Sequence, residues 1–297
     1  MEQWLITGAG GQFGSVLLRR LTDSGVPATG LASPTGPSPD SGAVWRVDLA
    51  DPAGLSVAVR HLAPRFIIHA GAVTSIQAAH DAPDYTRRVN IDATRTLVET
   101  ARAIGAKLVL TSTDLVFDGT RAPYAEDSLP SPLSVYARSK VEAERIVLGF
   151  DHGIVVRLAL MYGRPAAQRN TTFLTQLSAL RTDAPLRLFA DEFRTPIWLE
   201  DAATATLMIA ESDITGVIHL GGPERMSRLD MGRVMARALG VSGAGIVAAN
   251  QREMASPEPR PPDVSLVSAR FERIFGRPPG RPMQQAMELL VTAERAP

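Results

Sequence analysis

The chain contains no cysteine, which removes disulfides, thiolate metal ligands and cysteine nucleophiles together. It also lacks net charge: 31 lysines and arginines balance 31 aspartates and glutamates, and the basic residues are scattered singly. That pattern argues against a nucleic-acid partner or a membrane surface. No stretch approaches the roughly 18 apolar residues of a membrane span, and no basic region with an apolar signal core opens the chain. The expected location is therefore cytoplasmic. Internal repeats and long low-complexity segments are missing too, although Pro34 to Pro39 is a short turn-rich loop. What is present is 297 residues, 45% of them hydrophobic, enough for one large core or two modest ones.

The first half alternates strand and helix. Gln3 to Thr7 is short and apolar, Gly8-Ala9-Gly10-Gly11-Gln12-Phe13-Gly14 follows, and Val16, Leu17, Leu18 and Leu21 then recur at helical spacing. Strand, glycine turn and helix in that order make a dinucleotide-binding unit: Gly8, Gly11 and Gly14 let the backbone approach a pyrophosphate that faces the helix N-terminus. A second strand, Val26 to Leu31, closes at Ala32-Ser33, where an acidic residue would bind the adenosine ribose of NAD. Ser33 is small and neutral and leaves room for a 2′-phosphate, so NADP(H) is favoured over NAD(H), although no arginine stands beside it in sequence. A third strand, Val44 to Val47, leads to Asp48-Leu49, and Asp51-Pro52 starts a helix. Asp48 is either an acceptor for the adenine amino group or a turn residue.

Phe66 to His69 is a fourth strand opening into Ala70-Gly71-Ala72-Val73-Thr74, whose small residues permit cofactor contact. His69 lies in an apolar run, which favours a hydrogen-bonded core histidine over a catalytic one. A long helix carries Val89, Ala93, Leu97, Ala101 and Ile104, with Asn90 beside its buried stripe, either bridging strand carbonyls to hold the site open or simply satisfied in the core. Lys107 to Leu110 delivers Thr111-Ser112-Thr113-Asp114 to the carboxyl edge of the sheet, and Ile154 to Leu158 is a sixth strand. The resulting architecture is α/β: a doubly wound parallel sheet (Rossmann) with a smaller C-terminal α/β substrate domain. Residues 1–163 form the first domain and 164–297 the second, with 193–215 returning to the first.

Chemistry concentrates in Thr113 and in Tyr136-Ala137-Arg138-Ser139-Lys140, a helix capped by Ser134. Tyr136 and Lys140 fall one turn apart on one face. An ammonium there brings a phenol of ordinary pKa near ~10 into range as a proton donor or acceptor, while the Thr113 hydroxyl holds a carbonyl oxygen against it. That geometry suits reduction of a ketone or oxidation of an alcohol.

Taken together, Thr7 to Gly14, Asp48-Leu49, Asn90, Ser112-Thr113-Asp114 and Tyr136-x-x-x-Lys140 resemble the extended short-chain dehydrogenase/reductases. Ser112-Thr113-Asp114-Leu115-Val116-Phe117-Asp118-Gly119, Pro132 to Tyr136, and Arg260-Pro261 are most similar to the dTDP-4-dehydrorhamnose reductases. The resemblance implies an NAD(P)H-dependent reductase of a 4-keto nucleotide sugar, with Tyr136 as proton donor, Lys140 on the nicotinamide ribose lowering the Tyr136 pKa, and Thr113 orienting the keto oxygen. The hydride comes from the nicotinamide, so the chemistry needs no metal. The cofactor would contact Gly8, Gly11, Gln12, Phe13, Gly14, Ser33, Asp48, Leu49, Ala70, Gly71, Ala72, Asn90, Thr111, Tyr136 and Lys140. The substrate would contact Thr74, Thr113, Asp114, Leu160, Arg194 and Arg260. Two departures stand out: Leu115 stands where the family usually has a tyrosine or similar residue, and Arg157-Leu158-Ala159-Leu160 lacks the family's aromatic substrate contact; related dehydratases place a proton-removing glutamate after the Thr-Asp pair, which Leu115 cannot replace.

Beyond Tyr162-Gly163 the pattern loosens. Phe173 to Leu180 reads as a helix, Leu186 to Phe189 and Val217 to Leu220 as strands, Asp201 as the cap of an alanine-rich helix, and Ser227 to Gly240 as a capped helix. Met283 to Val291 closes the chain with an apolar helix face. Arg194 and Arg260 are candidates for gripping a nucleotide diphosphate, since guanidinium forks match phosphate oxygens. Pro257 to Pro262 is too proline-rich for helix and is expected across the cleft mouth. Two alternatives to the reductase remain: an epimerase on the same scaffold and a non-catalytic NADP-binding regulatory subunit. A homodimer is compatible with either.

Overall fold

Trp4, Leu5, Ile6 and Thr7 are all buried, as an interior strand covered on both faces must be. In the computed structural model, which describes residues 3–295, this strand, β1 (Trp4–Thr7), runs into α1 (Gln12–Asp23) and then β2 (Ala28–Ala32) and β3 (Ala43–Arg46). Next come α2 (Pro52–Leu62), whose first turn is capped by the Asp51 carboxylate on the Ala53 N–H at 3.1 Å, and β4 (Phe66–His69). The long helix expected to carry Val89 to Ile104 is present, preceded by a short separate helix and opened by a π turn. In order the segment holds α3 (Ile76–Asp81), α4 (Pro83–Arg87), a π turn over Arg88–Asp92, and α5 (Ala93–Ile104). Pro83 cannot continue α3, and the wide turn at Asn90 is the kind of helix distortion that functional sites favour. β5 (Lys107–Thr113), α6 (Val135–Leu148) and β6 (Gly153–Leu158) complete the first half. The Ser134 hydroxyl caps α6 by accepting from the Ala137 N–H at 3.1 Å.

The second half holds β7 (Met161–Tyr162), α7 (Thr172–Arg181), β8 (Leu186–Phe189), β9 (Phe193–Arg194), β10 (Ile197–Trp198), α8 (Leu199–Glu211) and β11 (Gly216–Leu220). β12 (Met226–Ser227), α9 (Arg228–Leu239), β13 (Ile246–Ala249), α10 (Ala269–Phe275) and α11 (Met283–Arg295) follow. Ser227 and Asp230 form a reciprocal capping box at the start of α9, and Gly240 ends it in the left-handed region.

Seven parallel strands form one sheet in the order β11-β6-β5-β4-β1-β2-β3. Phe13, Val16 and Leu17 of α1 pack with Leu199, Ala202 and Ile209 of α8 on one face, and Leu55, Leu97 and Val147 cover the other. A separate apolar cluster of Phe173, Leu177, Met231, Met235, Met283 and Met287 builds the smaller body. The span 164–297 is therefore not a continuous second unit. Its return to the main sheet extends beyond 215, because the buried run Ile218-His219-Leu220 supplies the strand that β6 pairs with at the sheet edge. Asp201 does not cap α8, which already begins at Leu199. It is held instead by the Arg281 guanidinium, with Nη2 to Oδ1 at 2.7 Å.

One charged pair lies deep in the main body. Arg157 on β6 donates to Glu144 on α6 at 2.8 and 3.1 Å, and both side chains are almost wholly buried. Removing one partner strands the other charge. Arg157→Met is expected to lower the unfolding free energy by about 3–5 kcal/mol, read from urea denaturation. A loss below about 1 kcal/mol would mean that water or another group already compensates Glu144.

Candidate active site

The carboxyl ends of β1, β4 and β5 open onto one cavity of about 570 Å³, at the point where the strand order reverses. Gly8 has φ +68°, and a β-carbon there would lie 2.6 Å from the Gly71 backbone, so the loops after β1 and β4 touch only because both residues are glycine. Gly8, Gly11, Gln12 and Phe13 line the cavity with Ala70, Gly71 and Ala72. Gly14 stands outside the lining. A β-carbon there would come within 2.3 Å of the Gly8 carbonyl oxygen, so this glycine serves the close seating of α1 against the turn. This bare-backbone cradle at a helix start fits a pyrophosphate.

Ser33, Asp48, Leu49 and Thr111 line the same cavity. Asp48 also makes the turn bond, its carboxylate accepting from the Ala50 N–H at 2.9 Å. An arginine does stand beside Ser33 in space: Arg46, register partner of Ala32 on the adjacent strand, donates to the Ser33 and Gly36 carbonyls at 2.7 Å each. Sequence distance hid it, since 13 residues separate the two.

Thr113, Tyr136 and Lys140 share one wall with Thr74, Asp114 and Leu160. The Thr113 hydroxyl lies close to the Tyr136 phenol. Burial pushes that phenol up to about 12, with the Asp114 and Glu144 carboxylates acting in the same direction and the Thr113 hydroxyl against it. Burial depresses the Lys140 ammonium to about 8, while Glu144 one turn further along α6 partly restores it. Desolvation dominates both groups. Asn90 stands behind this wall. Its amide accepts from the Val73 N–H at 2.8 Å and donates to the Val73 carbonyl at 3.1 Å and to Ser139 Oγ at 2.9 Å, so it braces the loop after β4 instead of facing the cavity. His69 is a core residue. Its ring nitrogens lie 2.7 Å from Thr7 Oγ1 and 3.2 Å from Thr94 Oγ1, and burial lowers its pKa to about 3.

At the other end, Arg194 and Arg260 meet two residues that sequence reasoning missed, Glu192 and Arg228. The buried Glu192 carboxylate lies 3.4 Å from Arg194, 3.8 Å from Arg228 and 3.9 Å from Arg260, long contacts that gather three guanidiniums without saturating them. Pairing of β9 with β12 sets Arg194 opposite Met226, so Arg228 arrives from a segment more than thirty positions away. The run Glu192-Phe193-Arg194 was the one available signal, since a carboxylate and a guanidinium two apart in a strand share a face. Asp114 is only 4% exposed and sits 3.6 Å from Arg194. Burial pushes its pKa up to about 6, against the pull of Arg194.

Fold and site together define a member of the extended short-chain dehydrogenase/reductase class. Residues 2–295 match the family model described as RmlD substrate binding domain, and the chain belongs to that family. It is 28% identical over 279 residues to methionine adenosyltransferase 2 subunit beta of Xenopus tropicalis, covering 91% of this chain and 81% of that protein. It is 29% identical over 303 residues to dTDP-4-dehydrorhamnose reductase of Mycobacterium tuberculosis, covering 100% and 93%. Among solved structures, dTDP-4-dehydrorhamnose reductase of Bacillus anthracis in complex with NADP superposes with a TM-score of 0.86 at 21% identity, over 98% of this chain and 99% of that one.

Because the folded-state pKa of Asp114 lies above its ordinary value, its contribution to stability is intact below about pH 4 and is lost as the pH rises through about 6. Asp114→Asn is therefore expected to gain stability relative to the parent between pH 4 and pH 7 in urea titrations. An identical difference at both pH values would show that Asp114 titrates as an ordinary surface acid.

Proposed function

We propose that this protein is a cytoplasmic NADPH-dependent reductase of a keto group on a nucleotide-linked sugar. The observation that carries the reading is that Thr113, Tyr136 and Lys140 line one cavity together with the glycine turn after β1 and the arginines Arg194, Arg228 and Arg260. The pocket is of ligand-site size, within the range of roughly 300–1,000 Å³. The main sheet with its glycine turn holds the cofactor, and the smaller body around α7, α9 and α11 supplies the substrate side.

NADPH supplies the hydride. Thr113 donates to the keto oxygen and holds it beside the Tyr136 hydroxyl. With its pKa near 12, Tyr136 is fully protonated at neutral pH, and it gives its proton to the carbonyl oxygen as that oxygen gains negative charge. Lys140, charged below about pH 8, binds the nicotinamide ribose and steadies the phenolate left behind. Arg194, Arg228 and Arg260 hold the diphosphate, with Glu192 keeping their mutual repulsion in check. Leu115 offers no base for removing a carbon-bound proton, which sets dehydration aside.

The relatives named as a subunit of methionine adenosyltransferase support a second reading, a regulatory chain that binds NADP without turnover. The retained Thr113, Tyr136 and Lys140 favour the enzyme. An epimerase would keep its cofactor through turnover, whereas a reductase consumes NADPH stoichiometrically. Following nicotinamide absorbance with a panel of keto nucleotide sugars separates all three.

Tyr136→Phe is expected to lower kcat at least about a hundredfold with little change in NADPH affinity. Turnover equal to the parent would remove the phenol from the mechanism. NADPH should bind more tightly than NADH in fluorescence titrations, with Arg46→Ala narrowing the gap. Equal affinities in the parent would overturn the assignment of the space beside Ser33 to a 2′-phosphate.

A further inference from the structure

The segment Ser256-Pro257-Glu258-Pro259-Arg260-Pro261-Pro262 does more than carry Arg260 to the cavity. Glu258 reaches the start of α6, where its two carboxylate oxygens accept from the Val135 N–H at 2.9 and 3.1 Å, and the Arg138 guanidinium donates to it at 3.2 Å. Val135 is the first residue of α6 and Tyr136 the second. No acidic residue of the helix itself occupies its first turn, so Glu258 supplies the anion that the helix N-terminus attracts. Its side chain is only 9% exposed, which separates this contact from a fluctuating surface ion pair.

Two positions along, Arg260 lines the cavity with 36% of its side chain exposed. Prolines flank both residues, and Ser256 Oγ donates to the Glu258 carbonyl at 2.7 Å, so Glu258 and Arg260 sit on one stiff strap. The far end of the strap is fixed beside Arg194, where the Phe193 N–H donates to the Pro262 carbonyl at 2.7 Å. A pull on Arg260 is thus delivered to the backbone next to Tyr136.

We propose that Glu258 is a positioning residue that fastens the catalytic helix to the substrate strap, so that a nucleoside diphosphate gripped by Arg260 sets the place of the Tyr136 hydroxyl. For its substrate this rests on the reductase reading above. Binding energy from the non-reacting tail is then spent on orienting the reacting end, where a displacement of about 1 Å can cost roughly a hundredfold in rate.

Two measurements test it. In NADPH oxidation with a keto nucleotide sugar, Glu258→Ala should lose about tenfold in kcat/KM through kcat, with NADPH affinity unchanged and Glu258→Gln intermediate. With the same keto sugar lacking its nucleotide, Glu258→Ala and parent should be equal. A parent-like variant, or equal losses on both substrates, overturns the coupling. The second readout needs no turnover: hydrogen exchange of the NADPH-loaded protein with thymidine diphosphate as probe. Exchange should slow at 256–262 and at 135–138 in the parent, but only at 256–262 in Glu258→Ala. Equal slowing of the helix in both proteins, or none in the parent, overturns the proposal. If the parent consumes NADPH with no nucleotide sugar, the reductase reading falls by itself, and the exchange experiment still decides the role of Glu258.

Discussion

Burying a phenol and an ammonium side by side is the constraint to which the rest of the main body answers. Desolvation drives Tyr136 and Lys140 toward their neutral forms, so each charge near them is consequential. Glu144 supports the ammonium from one turn further along α6, and it is itself tolerable in the interior only because Arg157 and Ser112 donate to its oxygens. Arg157 in turn lies 3.4 Å from the His219 ring on β11. A chain of charge and hydrogen bonding therefore runs from the catalytic helix through β5 and β6 to the sheet edge. The late return of the polypeptide to form β11 closes that chain.

The opposite end of the cavity obeys a different rule. Three guanidiniums within reach of one another repel, and Glu192 holds them together at distances too long for direct hydrogen bonds. Such a cluster keeps donors available for an anion. Asp114 stands between the two ends, close to Arg194 on one side and accepting from the Thr113 hydroxyl at 3.2 Å on the other. The Thr113 hydroxyl and the clustered arginines are thus parts of one polar surface.

Much of the first half was legible because its signals are local. The glycine turn lies between an apolar strand and an amphipathic helix, the caps at Asp51 and Ser134 precede their helices directly, and Tyr136 and Lys140 are related by a single turn. Failures came where a local rule met a tertiary one. Asp201 had the composition of a cap but was drawn to Arg281. The helix expected around Asn90 is there, but a π turn over Arg88–Asp92 that spacing gives no sign of opens it where Asn90 braces Val73.

By itself, then, the order of residues determined the alternation of strands and helices, the glycine turn and the pairing of Tyr136 with Lys140 on one helix face, because each depends on neighbours a few positions apart. Tertiary structure alone decided which strand would close the sheet, that Arg46 would flank Ser33, and that Glu192, Arg228 and Glu258 would join the site. Those contacts join segments far apart along the chain, where spacing carries no geometric information and only packing brings opposite charges into register.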